Sequence, residues 1–235
     1  MLTTRSLFAC AGLLAALSSS AFAGPDWIER GDAGSDVSTG QEVVGEGPLT
    51  RISGRLAPPT GPDRTPADYE DLYIVRITSP ATFFFEVTGG DFNMQLFLFN
   101  ITQPGEALGL LANDDRSLTD NRPLLSSPAN DGTAAQVIFP GTYALAVSGF
   151  GRYPVALGPI PPGGLQPIFF FANTKEISGP DGPAGINALM GWAGEGQTGS
   201  YDIMVQGIDF VRVPAPGSAA LLVLSLGIAG RRRRS

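Results

Sequence analysis

Glycine and proline punctuate this chain so often, 31 and 20 times in 235 residues, that few uninterrupted stretches are long enough for a stable helix. Relative to alanine, proline disfavours a helix by about 3 kcal/mol and glycine by about 1 kcal/mol. What lies between the interruptions is short and alternates with the period of two that marks a pleated strand. Residues 71–77 put Tyr73, Val75 and Ile77 on one face and Leu72, Ile74 and Arg76 on the other, and residues 94–99 set Met94, Leu96 and Leu98 against Gln95, Phe97 and Phe99. Further strands are expected at 49–56, 82–87, 153–157, 168–172 and 201–206, while 134–139 and 142–148 read as a hairpin about Pro140-Gly141. Short strands at this spacing predict an all-β fold, an antiparallel β-sandwich of jelly-roll type spanning residues 48–212. The phenylalanine triples at 83–85 and 169–171 cannot all face one side of a strand and predict strands buried on both faces, with aromatic positions at a partner surface as the competing reading. Residues 24–47 are rich in Gly, Asp and Ser without a period and read as a leader containing Trp27, whereas Trp192 reads as core or turn packing.

Both ends carry the marks of processing signals. Arg5, the apolar run 7–17 and the small-x-small site Ala21-Phe22-Ala23 predict a helical secretory signal peptide over 1–23, cut by signal peptidase after Ala23. At the other end stand Pro214-Ala215-Pro216-Gly217, an apolar run 218–230 and Arg231, Arg232, Arg233 and Arg234. Thirteen helical residues at about 1.5 Å rise reach roughly 20 Å, short of the roughly 30 Å hydrocarbon core, so the contact with the inner membrane is expected to be transient. The arginines would stay on the cytoplasmic side and present the Pro-rich segment at the outer face.

This three-part layout over 213–235 resembles the PEP-CTERM sorting signal, with Ala215 where that family usually has glutamate. The resemblance implies an exosortase-like enzyme that cuts near Pro214 to Gly217, and delivery to the cell surface or the extracellular space by way of the periplasm.

Between the signals the chain holds ten basic and 22 acidic residues, a net charge of −12, which makes nucleic acid the wrong partner. The one cysteine lies in the signal peptide and the chain has no histidine, which removes disulfides, thiolate nucleophiles and the usual base of serine and cysteine hydrolases. Gly194-Glu195-Gly196-Gln197-Thr198-Gly199 matches a dinucleotide fingerprint by letter only, because strand rather than helix is expected after it, and it reads as a hairpin connection.

Several segments together carry a second likeness. Asp71-Leu72-Tyr73 opens one strand, Gly90-Asp91-Phe92-Asn93-Met94 opens the next, Asn113-Asp114-Asp115 falls in the following loop, and Pro140-Gly141-Thr142-Tyr143 leads into 144–149. Over about residues 47–160 this order resembles the bacterial pre-peptidase C-terminal domain, a secreted jelly-roll module, with Asn93 where that family often has aspartate.

Asp91, Asn93, Asp114 and Asp115 are the candidate calcium ligands, since calcium takes several hard oxygens from short loops. No Asp-x-Asp-x-Asp-Gly loop accompanies them, and solvated turn aspartates are the competing reading. The expected function is that of an exported, non-enzymatic surface protein associated with matrix or envelope polysaccharide, with no cofactor unless calcium. A carboxylate-based glycan hydrolase and a calcium-binding structural module are the alternatives.

Overall fold

The computed structural model describes residues 26–58, 67–159 and 163–211. Fourteen strands and no helix occur among them. In chain order they are β1 (Asp26–Ile28), β2 (Gln41–Glu42), β3 (Arg51–Leu56), β4 (Glu70–Ile77), β5 (Phe84–Gly90), β6 (Met94–Gln103) and β7 (Glu106–Asn113). Then follow β8 (Leu124–Ser126), β9 (Gly141–Gly149), β10 (Tyr153–Leu157), β11 (Leu165–Pro167), β12 (Gly191–Ala193), β13 (Gly199–Gln206) and β14 (Ile208–Asp209). The expected signal peptide and sorting tail, with Ala23, Pro214, Ala215, Pro216, Gly217 and Arg231 to Arg234, lie outside the described residues.

Two sheets face each other as a β-sandwich. One runs β1-β3-β13-β5-β8 and the other β14-β4-β9-β6-β7, with β2 also on the free edge of β4. All pairs in them are antiparallel except β1 on β3 and β2 on β4. Between the sheets Tyr73, Val75, Ile77, Met94, Leu96, Leu98, Leu145 and Val147 meet Ile52, Leu56, Phe85, Val87, Ile203 and Val205 in one apolar cluster. Apolar area removed from water at about 25 cal/mol per Å2 is what holds such layers together.

The six-stranded sheet is buried on its other face as well. There Leu72, Ile74, Phe97, Phe99, Ala144 and Ala146 form a second cluster with Ala156, Ile168, Phe169 and Ala184. The cover is a small sheet, β11-β10-β12, together with the irregular chain between β11 and β12. Two-sided burial explains why β4, β6 and β9 read as nearly continuous apolar runs.

The structure departs from the expected strands at several points, each for a physical reason. Residues 134–139 form no strand: β9 pairs with β4 on one side and β6 on the other, leaving no edge for a hairpin partner. The segment is instead tied down piecemeal, with Ala129 N donating to Ala135 O at 2.8 Å and Tyr143 Oη to Phe139 O at 2.8 Å. The strand expected at 168–172 stops at Pro167, after which Phe169 turns into the second cluster while Phe170 is exposed.

Phe83 and Phe85 are buried but Phe84 is only partly so, so β5 is covered on one face and the two-sided burial predicted from that triple belongs to the other sheet. Residues 194–198 link β12 in the small sheet to β13 in the five-stranded one and are not a hairpin. The segment read as a leader supplies β1 and β2 and buries Trp27, Ala33 and Val43 in the core. Strands of three and two residues are too short to show a period.

Candidate metal centre

At one end of the sandwich three carboxylates converge from three separate segments. Asp71 is the second residue of β4, Asp68 precedes that strand, and Asp32 sits on the loop between β1 and β2. Asp68 is fixed by a two-way bridge with Ala57, each N–H donating to the other's carbonyl at 3.0 Å. The Asp32 loop is stiffened by its own side chains: Asp32 Oδ1 accepts from Gly34 N at 2.6 Å, and Asp36 Oδ1 accepts from Ser38 N at 2.7 Å and Thr39 N at 3.0 Å. Gly34 has φ 69° and the space where its Cβ would stand is filled by Thr39 O at 2.6 Å, so a side chain there would be both strained and crowded. Gln41 spans the loop, donating to Arg30 O at 2.9 Å, and Trp192 Nε1 donates to Ser35 O at 2.8 Å from the second cluster.

One oxygen from each of Asp32, Asp68 and Asp71 lies within 4.8 Å of the others. Asp32 is exposed, Asp68 half-buried and Asp71 fully buried. Above them opens a cleft of about 270 Å3 lined by Asp32, Gly34, Ser35, Ala67, Asp68, Glu70 and Arg152. The guanidinium of Arg152 is committed to Glu70, at 2.7 and 3.0 Å, and to Gly194 O at 2.8 Å. No lysine or arginine forms an ion pair with Asp32, Asp68 or Asp71 among the described residues.

The electrostatics follow from that imbalance. Burial pushes Asp71 up to about 8, against the Tyr201 hydrogen bond, and the charges of Glu29 and Asp68 add to the rise. Burial likewise raises Asp68 to about 7, helped by Asp32 and Glu29. Glu29, whose Oε2 accepts from Arg55 N at 2.7 Å, is raised mainly by burial, with Asp32 adding to it.

Behind the carboxylates a hydroxyl chain crosses the sandwich. Tyr201 on β13 donates to Asp71 Oδ2, and its oxygen lies 2.6 Å from the hydroxyl of Tyr73 on β4. Gly54 on β3 makes room: a Cβ there would sit 2.3 Å from Tyr201 Oη and 2.7 Å from Tyr73 Oη. The other oxygen of Asp71, Oδ1, is buried and makes no hydrogen bond of normal geometry among the described residues, although the Ala33 N–H bears on the carboxyl and opposes the rise. An orphaned acceptor on a buried carboxylate costs free energy unless something positive meets it.

The residues picked out from sequence lie elsewhere. Asp91 is exposed and accepts from Ser200 N at 3.1 Å. Asn93 is partly buried, with its N–H donating to Gln197 Oε1 at 3.0 Å. Asp114 is buried beside Gln95 and raised to about 7 by burial, with Asp115 adding to the rise, and Asp115 N donates to Thr174 O at 2.8 Å. Among the described residues Asp91, Asp114 and Asp115 belong to no set of three convergent acids, whereas Asp32, Asp68 and Asp71 form one. The signal that could have found the latter is Asp68-x-x-Asp71 at the start of a strand, with Asp32 in the glycine-flanked turn Gly31 to Gly34. No protein-family model matches this chain, and neither does any curated protein sequence.

Proposed function

We propose that this chain is an exported, non-enzymatic module of jelly-roll type, steadied by calcium in the acidic cleft, that associates with the cell envelope or extracellular matrix. The observation that carries the reading is the buried Asp71 carboxyl, which has an unpartnered Oδ1, offers an oxygen within 4.8 Å of oxygens from Asp68 and Asp32, and is in no ion pair among the described residues. An all-oxygen donor set suits calcium, whose ligands stand at about 2.3–2.6 Å and therefore no more than about 5 Å from one another. In this role Asp71, anchored by Tyr201, supplies the buried ligand, Asp68 the second, and Asp32 ties the loop after β1 to the body of the sandwich. Bound calcium would supply the positive charge these acids lack. The cleft lining carries charge and no aromatic ring, which favours an ion over the sugar ring a glycan hydrolase would seat.

The jelly-roll reading rests on strand order. Taken in sequence, β3, β4, β5, β6, β7, β8, β9 and β13 form the order first-eighth-third-sixth in one sheet and second-seventh-fourth-fifth in the other, the interleaving of two Greek keys. Export rests on the two terminal signals, read by signal peptidase and an exosortase-like enzyme. Two measurements on native cells test the whole reading. Fractionation should place the protein in the envelope or matrix, with an intact mass lacking both ends, and chelator should lower its melting temperature. A cytoplasmic, uncut protein would overturn the export reading, and a melting temperature unmoved by chelator would overturn the calcium reading.

A further inference from the structure

A second pocket, on the outer face of the six-stranded sheet, contains buried polar groups that the acidic cleft does not use. Its volume is about 270 Å3 and its walls are aromatic: Phe97, Phe150, Tyr153, Phe169, Phe170 and Phe171. Phe97 packs on Phe169 with ring centroids 5.6 Å apart and on Phe171 at 6.5 Å, while Phe150, Tyr153 and Phe170 are exposed. Two polar residues also line it, Gln95 and Asp114, only 6% and 3% exposed. Gln95 Oε1 and Asp114 Oδ1 are both buried without a hydrogen-bond partner. Both orphans are acceptors, the Gln95 side chain is the one polar side chain that bonds the Asp114 carboxyl, and no ion pair involves Asp114 among the described residues.

We propose that this pocket binds a ring-sized organic cation, a sugar ring bearing a free protonated amine. An ammonium donates hydrogen bonds and carries the charge that Asp114 lacks, and aromatic faces attract cations. The pocket falls just below the roughly 300 Å3 at which drug-sized sites begin, so one ring is the fitting occupant. Exposed rings at the mouth offer flat apolar surfaces to the C–H faces of a sugar, which a slender lysine side chain would leave uncovered. Anions meet the wrong charge, and a neutral sugar leaves Asp114 uncompensated. Burial of Asp114, which lifts its carboxyl to about 7, is the cost such a cation would relieve. The inference stands apart from the calcium cleft, which has different residues.

The test is a calorimetric titration of the full chain in mild detergent with glucosamine, glucose, N-acetylglucosamine and N-α-acetyl-lysine methyl ester, with calcium and again with chelator. Glucosamine should bind saturably in both media, and the two uncharged sugars about 10- to 100-fold more weakly, the range expected for loss of a charge-assisted hydrogen bond. Asp114→Asn should weaken glucosamine by the same factor. Phe170→Ala, at an exposed position, should weaken it severalfold without moving the melting temperature. Absence of saturable binding, equal binding of glucose, tighter binding of the lysine derivative, or an unaffected Asp114→Asn variant would each overturn the proposal. Loss of binding with chelator alone would do so too, by assigning the ligand to the calcium cleft.

Discussion

Asp71 and Asp114 are the same side chain in nearly the same burial, yet their surroundings suit different partners. Each is almost wholly removed from water, each has one unpartnered oxygen and each is raised by burial, Asp71 to about 8 and Asp114 to about 7. Asp71 has further carboxylates at its mouth and a tyrosine behind it, so its surroundings supply oxygens that a metal ion can share. Asp114 has aromatic rings at its mouth and an amide beside it, so its surroundings supply faces for an organic cation. A buried charge does not define its own partner; the neighbours do.

The largest expected effect separates the two sites by metal. Saturation at about 100 times the dissociation constant stabilises a site by about 2.7 kcal/mol, or roughly 5–10 °C in melting temperature for a domain of this size. Scanning calorimetry should show this rise in the wild type and in Asp114→Asn, and not in Asp71→Asn. An equal rise in all three would erase the distinction.

Next in size is damage to the hydroxyl chain behind Asp71. Gly54→Ala would press a methyl group onto Tyr201 Oη, and overpacking of this kind costs about 1–3 kcal/mol. Tyr201→Phe removes the bond to Asp71 and the contact with Tyr73, at a cost of about 1–3 kcal/mol. Urea unfolding should register both losses. The sharper outcome is that Tyr201→Phe also weakens calcium uptake, whereas Phe170→Ala leaves it unchanged.

The pH dependence distinguishes the sites more finely. Carboxyls raised in the folded state bind protons there more readily than in the unfolded chain, so their stabilisation is complete below about pH 4 and is lost as pH rises through about 7 to 8. With chelator present, Asp68, Asp71 and Asp114 should all make melting temperature fall across that window. Calcium should cancel the part due to Asp68 and Asp71 and leave the part due to Asp114, which Asp114→Asn would then remove. A fall unaltered by calcium would place the metal elsewhere.

Much of the framework was legible in the sequence because burial imposes a period. The two faces read from residues 71–77 and 94–99 are the faces found in β4 and β6, with Tyr73 and Leu96 between the sheets and Ile74 and Phe97 outside. β7 escaped because Ala107, Leu111 and Ala112 are buried toward both clusters, which erases alternation. Residues 134–139 misled because Ala135, Val137 and Phe139 alternate with their neighbours, although the backbone there has no free strand to join.

The acidic cleft was hidden for a different reason. Asp32 reaches Asp68 and Asp71 only because β1 adds parallel to β3 and Ala57 bridges Asp68, contacts that no local spacing announces. Asp91 and Asp115 stood out as loop acids, but among the described residues neither joins the set of three converging carboxylates.

Calcium titration of the full chain and of its Asp71→Asn variant, by isothermal calorimetry at pH 7.5 or above (on the order of the raised carboxyl values), tests the central claim most directly. The account predicts saturable uptake by the wild type and its loss in the variant, which should melt with chelator at least as high as the wild type, because a buried charge has been removed. Equal calcium uptake by both proteins, or none by the wild type, would contradict it.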